Sequence, residues 1–344
     1  MTVGHPGGKV FVLSALLLVG HHAVGVAHTD VGGLISASFF QTTPNRSSVL
    51  EHRYRIVGKV RLFLFWIGSD DVGGARVTWR RESAESATIA LLIGSDPERA
   101  PRGVNEWGYL REQVRGDSAD VFGVRTMTDP DSVDEAEAKL AQGDPPLYGA
   151  MCSTIADESA SASTSVRVPR DVTYHRFVRL LDAVSTSGRW KQRRVARPHG
   201  VAPGFLTALD LLIHRSAAAA REGNYSMSRT SRATYVYKGT LYDLNLRSVE
   251  PIRQARVGSK NFANLVRGEY TIRNRETGGT TEFAVTYGVN GALADVPVQA
   301  SYQPKWWFKV ELQLDDTVDV PEDPSGDDSL SKRIGEICSR ALGS

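Results

Sequence analysis

The chain has 344 residues and a mass of 37.5 kDa, which is enough for one large domain or two ordinary ones. Hydrophobic residues make up 41% and charged residues 23%, a globular composition that excludes fibrous and intrinsically disordered proteins. The formal net charge of +2 identifies no class of partner, and two cysteines are too few for a disulfide scaffold or a cysteine-rich zinc site.

Residues 1–27 have the composition of a secretory signal peptide. Lys9 precedes an apolar run over residues 10–19, and small residues ending at Ala27 follow it. The run is shorter than the roughly 20 residues that a transmembrane helix needs. We therefore expect cleavage near Ala27, export to the periplasm or the extracellular space, and no transmembrane segment in the mature chain. An uncleaved anchor is the alternative interpretation.

The segment after the signal peptide is rich in Thr, Ser and Gly, and it predicts an extended leader over residues 28–49. Apolar and polar residues then alternate from Tyr54 to Trp66, which is the pattern of a strand. Shorter strands are predicted over Ala75–Arg80 and Thr88–Ile93. These strands open an N-terminal strand-rich region over residues 50–165, which also contains a long loop and an acidic segment.

The long loop is predicted over residues 95–131, because prolines and glycines there interrupt any regular period. Trp107 and Tyr109 lie within it. Residues 129–158 form the acidic segment, with eight carboxylates against one lysine, and include a short exposed helix predicted over residues 132–142.

Two helices are predicted in the middle of the chain. Asp171 can cap the first, which ends at Gly188, while Pro203 opens the second, which ends before Gly223. Both have apolar residues at helical spacing along one face. Each helix therefore needs a sheet or another helix to cover that face.

Strands return between Tyr235 and Leu314, where the turn signal Asn290-Gly291 predicts a hairpin. The two helices and these strands form the region 166–314, and residues 315–344 form an acidic linker with a short terminal helix. The predicted fold class is α+β: a strand-rich chain with an antiparallel, twisted sheet in its C-terminal half, packed on one or two amphipathic helices. One sheet and two separate domains both remain open.

The two cysteines are Cys152 and Cys338. An oxidising compartment favours a disulfide between them, and closing so long a loop stabilises by up to ~4–5 kcal/mol in the chain-entropy model. Two buried free thiols are the alternative.

Motifs for catalysis are missing: the sequence has no G-x-S-x-G elbow, no phosphate-binding loop, no H-E-x-x-H and no C-x-x-C. We therefore expect no cofactor and no metal, and leave open whether the protein is an enzyme. The catalytic alternative is an exported hydrolase whose site combines the loop 99–109, Asp70 or Asp71, and a late histidine such as His175. The simpler interpretation makes Asp70 and Asp71 turn residues and the late histidines surface residues.

Three segments contain candidate ligand-binding residues. The loop 99–109 combines arginines, an amide and aromatic rings. Residues 189–197 are the densest part of a basic stretch with 21 basic against seven acidic residues over 167–275. A tryptophan of the last strand lies on the polar side of the alternation. The candidates are Arg99, Arg102, Asn105, Trp107, Tyr109, Trp190, Arg193, Arg194 and Trp307.

Each candidate set has a structural alternative. The loop can be an ordered segment pinned by Trp107, the basic stretch can pair with the chain's own acidic segments, and a helix can cover Trp307. The favoured hypothesis is an exported, non-catalytic binding or envelope-associated protein. Its ligand would be a lipid, another amphiphile or an anionic envelope polymer. Export makes nucleic acid an unsuitable partner.

Overall fold

The computed structural model describes the chain from residue 48 onward, with gaps. The described residues are 48–62, 65–83, 86–96, 98–99, 107–116, 118–126, 147–156, 158–169, 172, 176–178, 190–196, 200–226, 231–305, 308–318 and 328–343. The expected signal peptide, the leader up to residue 47 and the helix predicted over residues 132–142 lie outside them.

Fourteen strands of the described residues form one antiparallel sheet. They are β1 (Ser48–Leu62), β2 (Phe65–Arg81), β3 (Ser86–Ser95), β4 (Trp107–Arg115), β5 (Ser118–Thr126), β6 (Leu147–Ile155), β7 (Glu158–Arg167), β8 (Lys191–Ala196), β9 (Arg232–Tyr237), β10 (Thr240–Val257), β11 (Lys260–Asn274), β12 (Thr280–Gly288), β13 (Pro297–Lys305) and β14 (Phe308–Leu314). The order across the sheet is β8-β7-β6-β5-β4-β3-β2-β1-β14-β13-β12-β11-β10-β9.

The sheet spans both halves of the chain, because β1 pairs with β2 on one side and with β14 on the other. Tyr54 lies opposite Ala75 in β2 and opposite Leu314 in β14. The strand-rich, antiparallel character is as predicted. Confining the sheet to the C-terminal half was wrong, and the protein is mostly β.

The long loop predicted over residues 95–131 is also wrong in its second part, which forms the hairpin of β4 and β5. Gly116 makes its turn with a φ of +55°. Its sequence does not alternate between apolar and polar residues, because both faces of the hairpin are buried. Leu110 lies on one face and Tyr109 on the other. β6 and β7 were missed for the same reason, and β8 occupies the basic segment that the sequence placed between two helices.

Two helices lie on opposite faces of the sheet. Helix α1 (Phe205–Arg221) shares an apolar cluster with inner-face residues such as Leu110 and Met151. Helix α2 (Asp328–Leu342) shares another with outer-face residues, among them Phe122. The helices predicted after Pro203 and at the C-terminus correspond to α1 and α2. Of the helix predicted from Asp171, residues 176–178 are described, and they are helical.

The start of α1 is held by a carboxylate from the sheet. Gly204 precedes the helix and has no side chain to cap it. Glu112 of β4, which is fully buried, accepts hydrogen bonds from the backbone N–H of Leu206 at 2.7 Å and of Thr207 at 2.9 Å. Its second oxygen also accepts one from the Thr207 hydroxyl at 2.6 Å. A residue distant in sequence therefore satisfies the first N–H groups of the helix.

Helix α2 is joined to the sheet covalently. Cys338 forms a disulfide with Cys152 of β6, which confirms the predicted pair over two free thiols. Ile334 and Ile337 of α2 are buried in the outer cluster beside it. No helix in the described part of the chain is long and apolar enough to cross a membrane.

The two edges of the sheet approach one another, although no ladder joins β8 to β9 among the described residues. Ala202, in the segment between β8 and α1, donates a backbone hydrogen bond to Thr234 of β9 at 2.7 Å. Arg193 of β8 donates one to the Thr240 hydroxyl at the start of β10 at 3.0 Å. The sheet thus curves around α1 until its first and last strands in spatial order are neighbours.

Candidate functional site

The turn between β9 and β10 places a lysine beside a tyrosine ring of β9. Lys238 and Gly239 form this turn with φ values of +52° and +69°, the left-handed conformation that a two-residue hairpin turn requires. The Lys238 ammonium lies 5.6 Å from the centre of the Tyr237 ring. It makes no ion pair with any residue that the structure describes.

A second cation comes from the opposite part of the sheet. Arg125 lies near the end of β5, and its neighbour Val124 belongs to the outer cluster, so alternation directs Arg125 to the inner face. Burial, together with the positive charge of Arg125, lowers the pKa of Lys238 to about 8. We call these two residues the Arg125–Lys238 cation pair.

An aromatic series leads inward from this cation pair towards α1. The Tyr237 ring packs edge-on against Tyr242 at 6.1 Å, and Tyr242 stacks on Tyr235 at 5.5 Å. Tyr235 in turn contacts Phe205 of α1 at 5.7 Å. Asn274 holds the second ring of the series in place by donating a hydrogen bond to the Tyr242 hydroxyl at 3.0 Å. Aromatic rings in this arrangement present an apolar surface with polar handles.

The arrangement has a clear electrostatic property. An anion bound beside the half-buried Lys238 ammonium would offset the burial and the positive charge of Arg125 that lower its pKa. The aromatic series beside them suits the apolar part of the same molecule. No known protein family, curated protein or solved structure matches the chain. Its own residues therefore carry the functional inference.

The structure places the predicted loop residues elsewhere. Arg99 forms ion pairs with Asp71 and Asp96, which are partly exposed. Trp107 is 6% exposed, donates to the Val172 carbonyl at 3.1 Å and stacks on Tyr148 at 4.6 Å. These contacts agree with the alternative interpretation, in which Trp107 holds an ordered segment in place.

The remaining aromatic candidates do not form a common site in the described residues. Tyr109 is buried on the outer face, and Trp190 is half-buried beside the same outer cluster. Four predicted residues lie outside the described part of the chain. They are Arg102, Asn105, His175 and Trp307. Asp70 is part of β2.

The basic candidates of β8 pair with acidic residues of this chain. Arg193 donates two hydrogen bonds to the Glu276 carboxylate. Arg194 lies 3.8 Å from the Glu158 carboxylate, and both side chains are mostly exposed. Both contacts therefore agree with the alternative interpretation, in which these arginines pair with acidic residues of the same chain.

A separate polar cluster joins the other end of α1 to the loop between β12 and β13. His214 Nδ1 lies 2.8 Å from the Asp295 carboxylate, which also accepts a hydrogen bond from Arg221. Trp79 Nε1 donates to the Asp210 carboxylate at 3.3 Å. No group of histidine, cysteine or carboxylate side chains in the described ranges is arranged to hold a metal ion.

Sequence inspection missed both members of the cation pair. The dipeptide Lys238-Gly239 between two tyrosine-containing strands is a recognisable hairpin signal, so the position of Lys238 in a turn could have been found. Arg125 carried no such signal. Its proximity to Lys238 depends on the curvature of the sheet, which brings strands that are distant in the sheet order to face one another.

Proposed function

We propose that the protein is an exported, non-catalytic binding protein whose ligand is an anionic amphiphile. The observation that carries this proposal is the half-buried Lys238 ammonium beside the Tyr237 ring, at the outer end of an aromatic series. The anionic group of the ligand would lie against the two cations and its apolar part against Tyr237 and Tyr242. This places the ligand on the inner face of the curved sheet, beside the amphipathic helix α1.

Export is part of the same proposal. Residues 1–27 have the pattern of a signal peptide, and the disulfide between Cys152 and Cys338 supports an oxidising compartment. Both observations are consistent with a protein of the periplasm or the extracellular space. An association with the cell envelope would give such a protein access to lipids and other amphiphiles.

The two alternatives have weaker support. The hydrolase hypothesis combined Asp70 or Asp71 with a late histidine; Asp71 is paired with Arg99, and His175 lies outside the described residues. A binder of anionic polymers would need the arginines of β8, which are paired with glutamates of this chain.

Two probes test the proposal: dansyl-undecanoate, which is an anionic amphiphile, and its uncharged methyl ester. We expect the purified mature chain to bind the carboxylate more tightly than the ester by about tenfold or more, because charge-assisted hydrogen bonds contribute about 1.5–3 kcal/mol. Dansyl fluorescence titration measures both affinities. Equal affinities for the two probes, or no binding of either, would contradict the proposal.

A double substitution then locates the site. Arg125→Gln with Lys238→Gln is expected to abolish the preference for the carboxylate, whereas Arg253→Gln with Lys332→Gln removes the same charge from exposed positions and keeps it. Thermal denaturation checks that both double variants are folded. Retention of the preference in the first variant would exclude this site.

The pH dependence of binding gives an independent measurement. Because the pKa of Lys238 is lowered to about 8, its ammonium loses its proton as the pH rises above that value. Affinity for the carboxylate probe should therefore fall between pH 8 and 10, and affinity for the ester should not change. The Lys238→Arg variant should keep its affinity across this range, since a guanidinium stays charged.

A further inference from the structure

A buried aspartate near the β9 edge of the sheet is surrounded by arginines. Asp243 of β10 is 7% exposed, and its Oδ1 atom accepts a hydrogen bond from the Thr234 hydroxyl at 2.8 Å. The same oxygen accepts from Arg232 Nε at 3.1 Å and from Arg275 Nε at 2.9 Å. A terminal nitrogen of each guanidinium lies within 2.9 Å of it as well. One buried carboxylate therefore holds two guanidiniums in place.

A third arginine lies on the same face of the sheet. Arg273 of β11 is directly opposite Asp243 of β10, and residues paired in this way point to the same face. This is the outer face, because the neighbouring residues Leu244 and Ile272 belong to the inner cluster. Arg273 is exposed, and it makes no hydrogen bond or ion pair with any residue that the structure describes. We call these residues the arginine cluster: Arg232, Arg273 and Arg275.

The arginine cluster carries more positive charge than the acid beside it neutralises. Three guanidiniums against the carboxylate of Asp243 leave a net charge of +2. Two acids at adjoining positions of the chain are paired with other arginines, Glu276 with Arg193 and Glu282 with Arg247. A surface with such an excess of positive charge attracts anions from solution.

We propose that the arginine cluster binds a phosphate group, either free phosphate or the phosphate of a lipid headgroup. Guanidinium N–H groups form a fork that matches the oxygens of a phosphate. Asp243 fixes two of these forks before the ligand arrives, which reduces the entropy lost on binding. Both side chains remain accessible, since Arg232 is 44% and Arg275 is 34% exposed.

The number and placement of the cations favour phosphate over a carboxylate. A tetrahedral dianion matches the net charge of +2 and offers oxygens to guanidiniums that approach from different strands, whereas a carboxylate is planar and carries one negative charge. The site lies on the outer face of the sheet. It does not depend on the proposed function at Lys238.

Isothermal titration calorimetry with inorganic phosphate tests the proposal, at a mildly alkaline pH and at an ionic strength held constant with sodium chloride. We expect Arg273→Gln to weaken phosphate binding by about threefold or more, because one of three cations is removed. This substitution breaks no contact among the described residues, so the variant should fold, and thermal denaturation checks it. Arg253→Gln is the matched control, since it removes another exposed arginine from β10 and should leave phosphate binding unchanged.

Sedimentation with phosphatidylcholine vesicles that contain phosphatidic acid distinguishes the two sources of phosphate. Weaker vesicle binding in Arg273→Gln than in Arg253→Gln assigns the site to a lipid headgroup, and an effect on inorganic phosphate alone assigns it to the free ion. The proposal is wrong if Arg273→Gln weakens neither kind of binding more than Arg253→Gln does. It is also wrong if Arg125→Gln with Lys238→Gln abolishes phosphate binding and Arg273→Gln does not, because phosphate would then bind at Lys238.

Discussion

The two helices cover opposite faces of one sheet, and different chemistry holds each in place. Helix α1 is bound at its start by three hydrogen bonds to the buried carboxylate of Glu112. Helix α2 is bound by the disulfide between Cys152 and Cys338. The inner attachment therefore depends on the ionisation and position of one side chain, and the outer attachment depends on the redox state of the compartment.

The pKa values of the buried acids on the two faces also differ, in opposite directions from the ordinary value of a glutamate. Burial raises the pKa of Glu112 on the inner face, although the hydrogen bonds from Thr207 and Leu206 oppose the rise. Burial also acts on Glu311 of the outer face, but Lys59 at 2.8 Å and Lys309 at 2.9 Å outweigh it and lower its pKa to about 2. On the inner face Glu112 is held by uncharged hydrogen-bond donors, whereas on the outer face Glu311 is paired with two lysines.

The largest effect is expected from removing the disulfide. Cys152→Ala with Cys338→Ala should lower the free energy of unfolding by about 4–5 kcal/mol, because the bond closes a long loop in the unfolded chain. Urea denaturation measures the loss. Binding of dansyl-undecanoate at a pH and temperature where the variant is folded should be unchanged, since the bond lies on the outer face. A loss below about 1 kcal/mol would show that the outer cluster alone holds α2.

The next effect concerns the inner attachment. Glu112→Gln should lower the free energy of unfolding by about 2–3 kcal/mol, because an amide cannot accept from all three donors and turns its own N–H₂ group towards one of them. The matched control is Glu158→Gln, an exposed acid on β7 for which we expect a change below about 0.5 kcal/mol. Equal effects of the two substitutions would contradict the role of Glu112 at the start of α1.

A methyl group tests how closely Glu112 approaches the helix. A Cβ atom at Gly204 would lie 2.4 Å from the Glu112 carboxyl carbon, so Gly204→Ala should destabilise by about 1–3 kcal/mol. At Gly335 of α2 nothing lies within 4 Å of such an atom, and Gly335→Ala should stabilise by about 0.5–1 kcal/mol. In a Glu112→Ala background the effect of Gly204→Ala should largely disappear. Persistence of the full effect there would assign the contact to another group.

The last two predictions concern the pH dependence of stability. Burial raises the pKa of Asp210, on α1, to about 6. A raised carboxyl pKa favours folding at low pH, so this contribution is lost as the pH rises from about 4 through 6. Asp210→Asn should abolish that loss in urea denaturation across the range and keep the hydrogen bond from Trp79. An unchanged pH profile would contradict it.

Glu311 should act in the opposite direction. Its lowered pKa favours folding above about pH 4.5, and this contribution is lost as the pH falls towards 2. Glu311→Gln should therefore flatten the acid side of the profile and leave the region between pH 4 and 6 as it was. If Glu311→Gln and Asp210→Asn altered the free energy of unfolding over the same pH range, the proposed contrast between the two faces would be wrong.

Local sequence patterns predicted the strands and helices that have one solvent-exposed face. Residues of β1 and β14 alternate between apolar and polar, and the apolar stripe after Pro203 predicted α1, because side-chain periodicity reports which face is covered. β4 to β7 were missed, since both of their faces are buried. The loop hypothesis recognised that Trp107 orders its segment but not that the segment is a strand.

What the sequence by itself determined about this protein is thus its strand-rich character, helices α1 and α2, the pairing of its cysteines as one of two possibilities, and the pattern of a signal peptide. Only the tertiary structure decided that both halves share one sheet, that Glu112 holds the start of α1, and that Arg125 lies near Lys238. The physical reason is the separation along the chain over which each kind of interaction acts. Periodicity and turn residues act between near neighbours in the chain, whereas these three features depend on how a fourteen-stranded sheet curves.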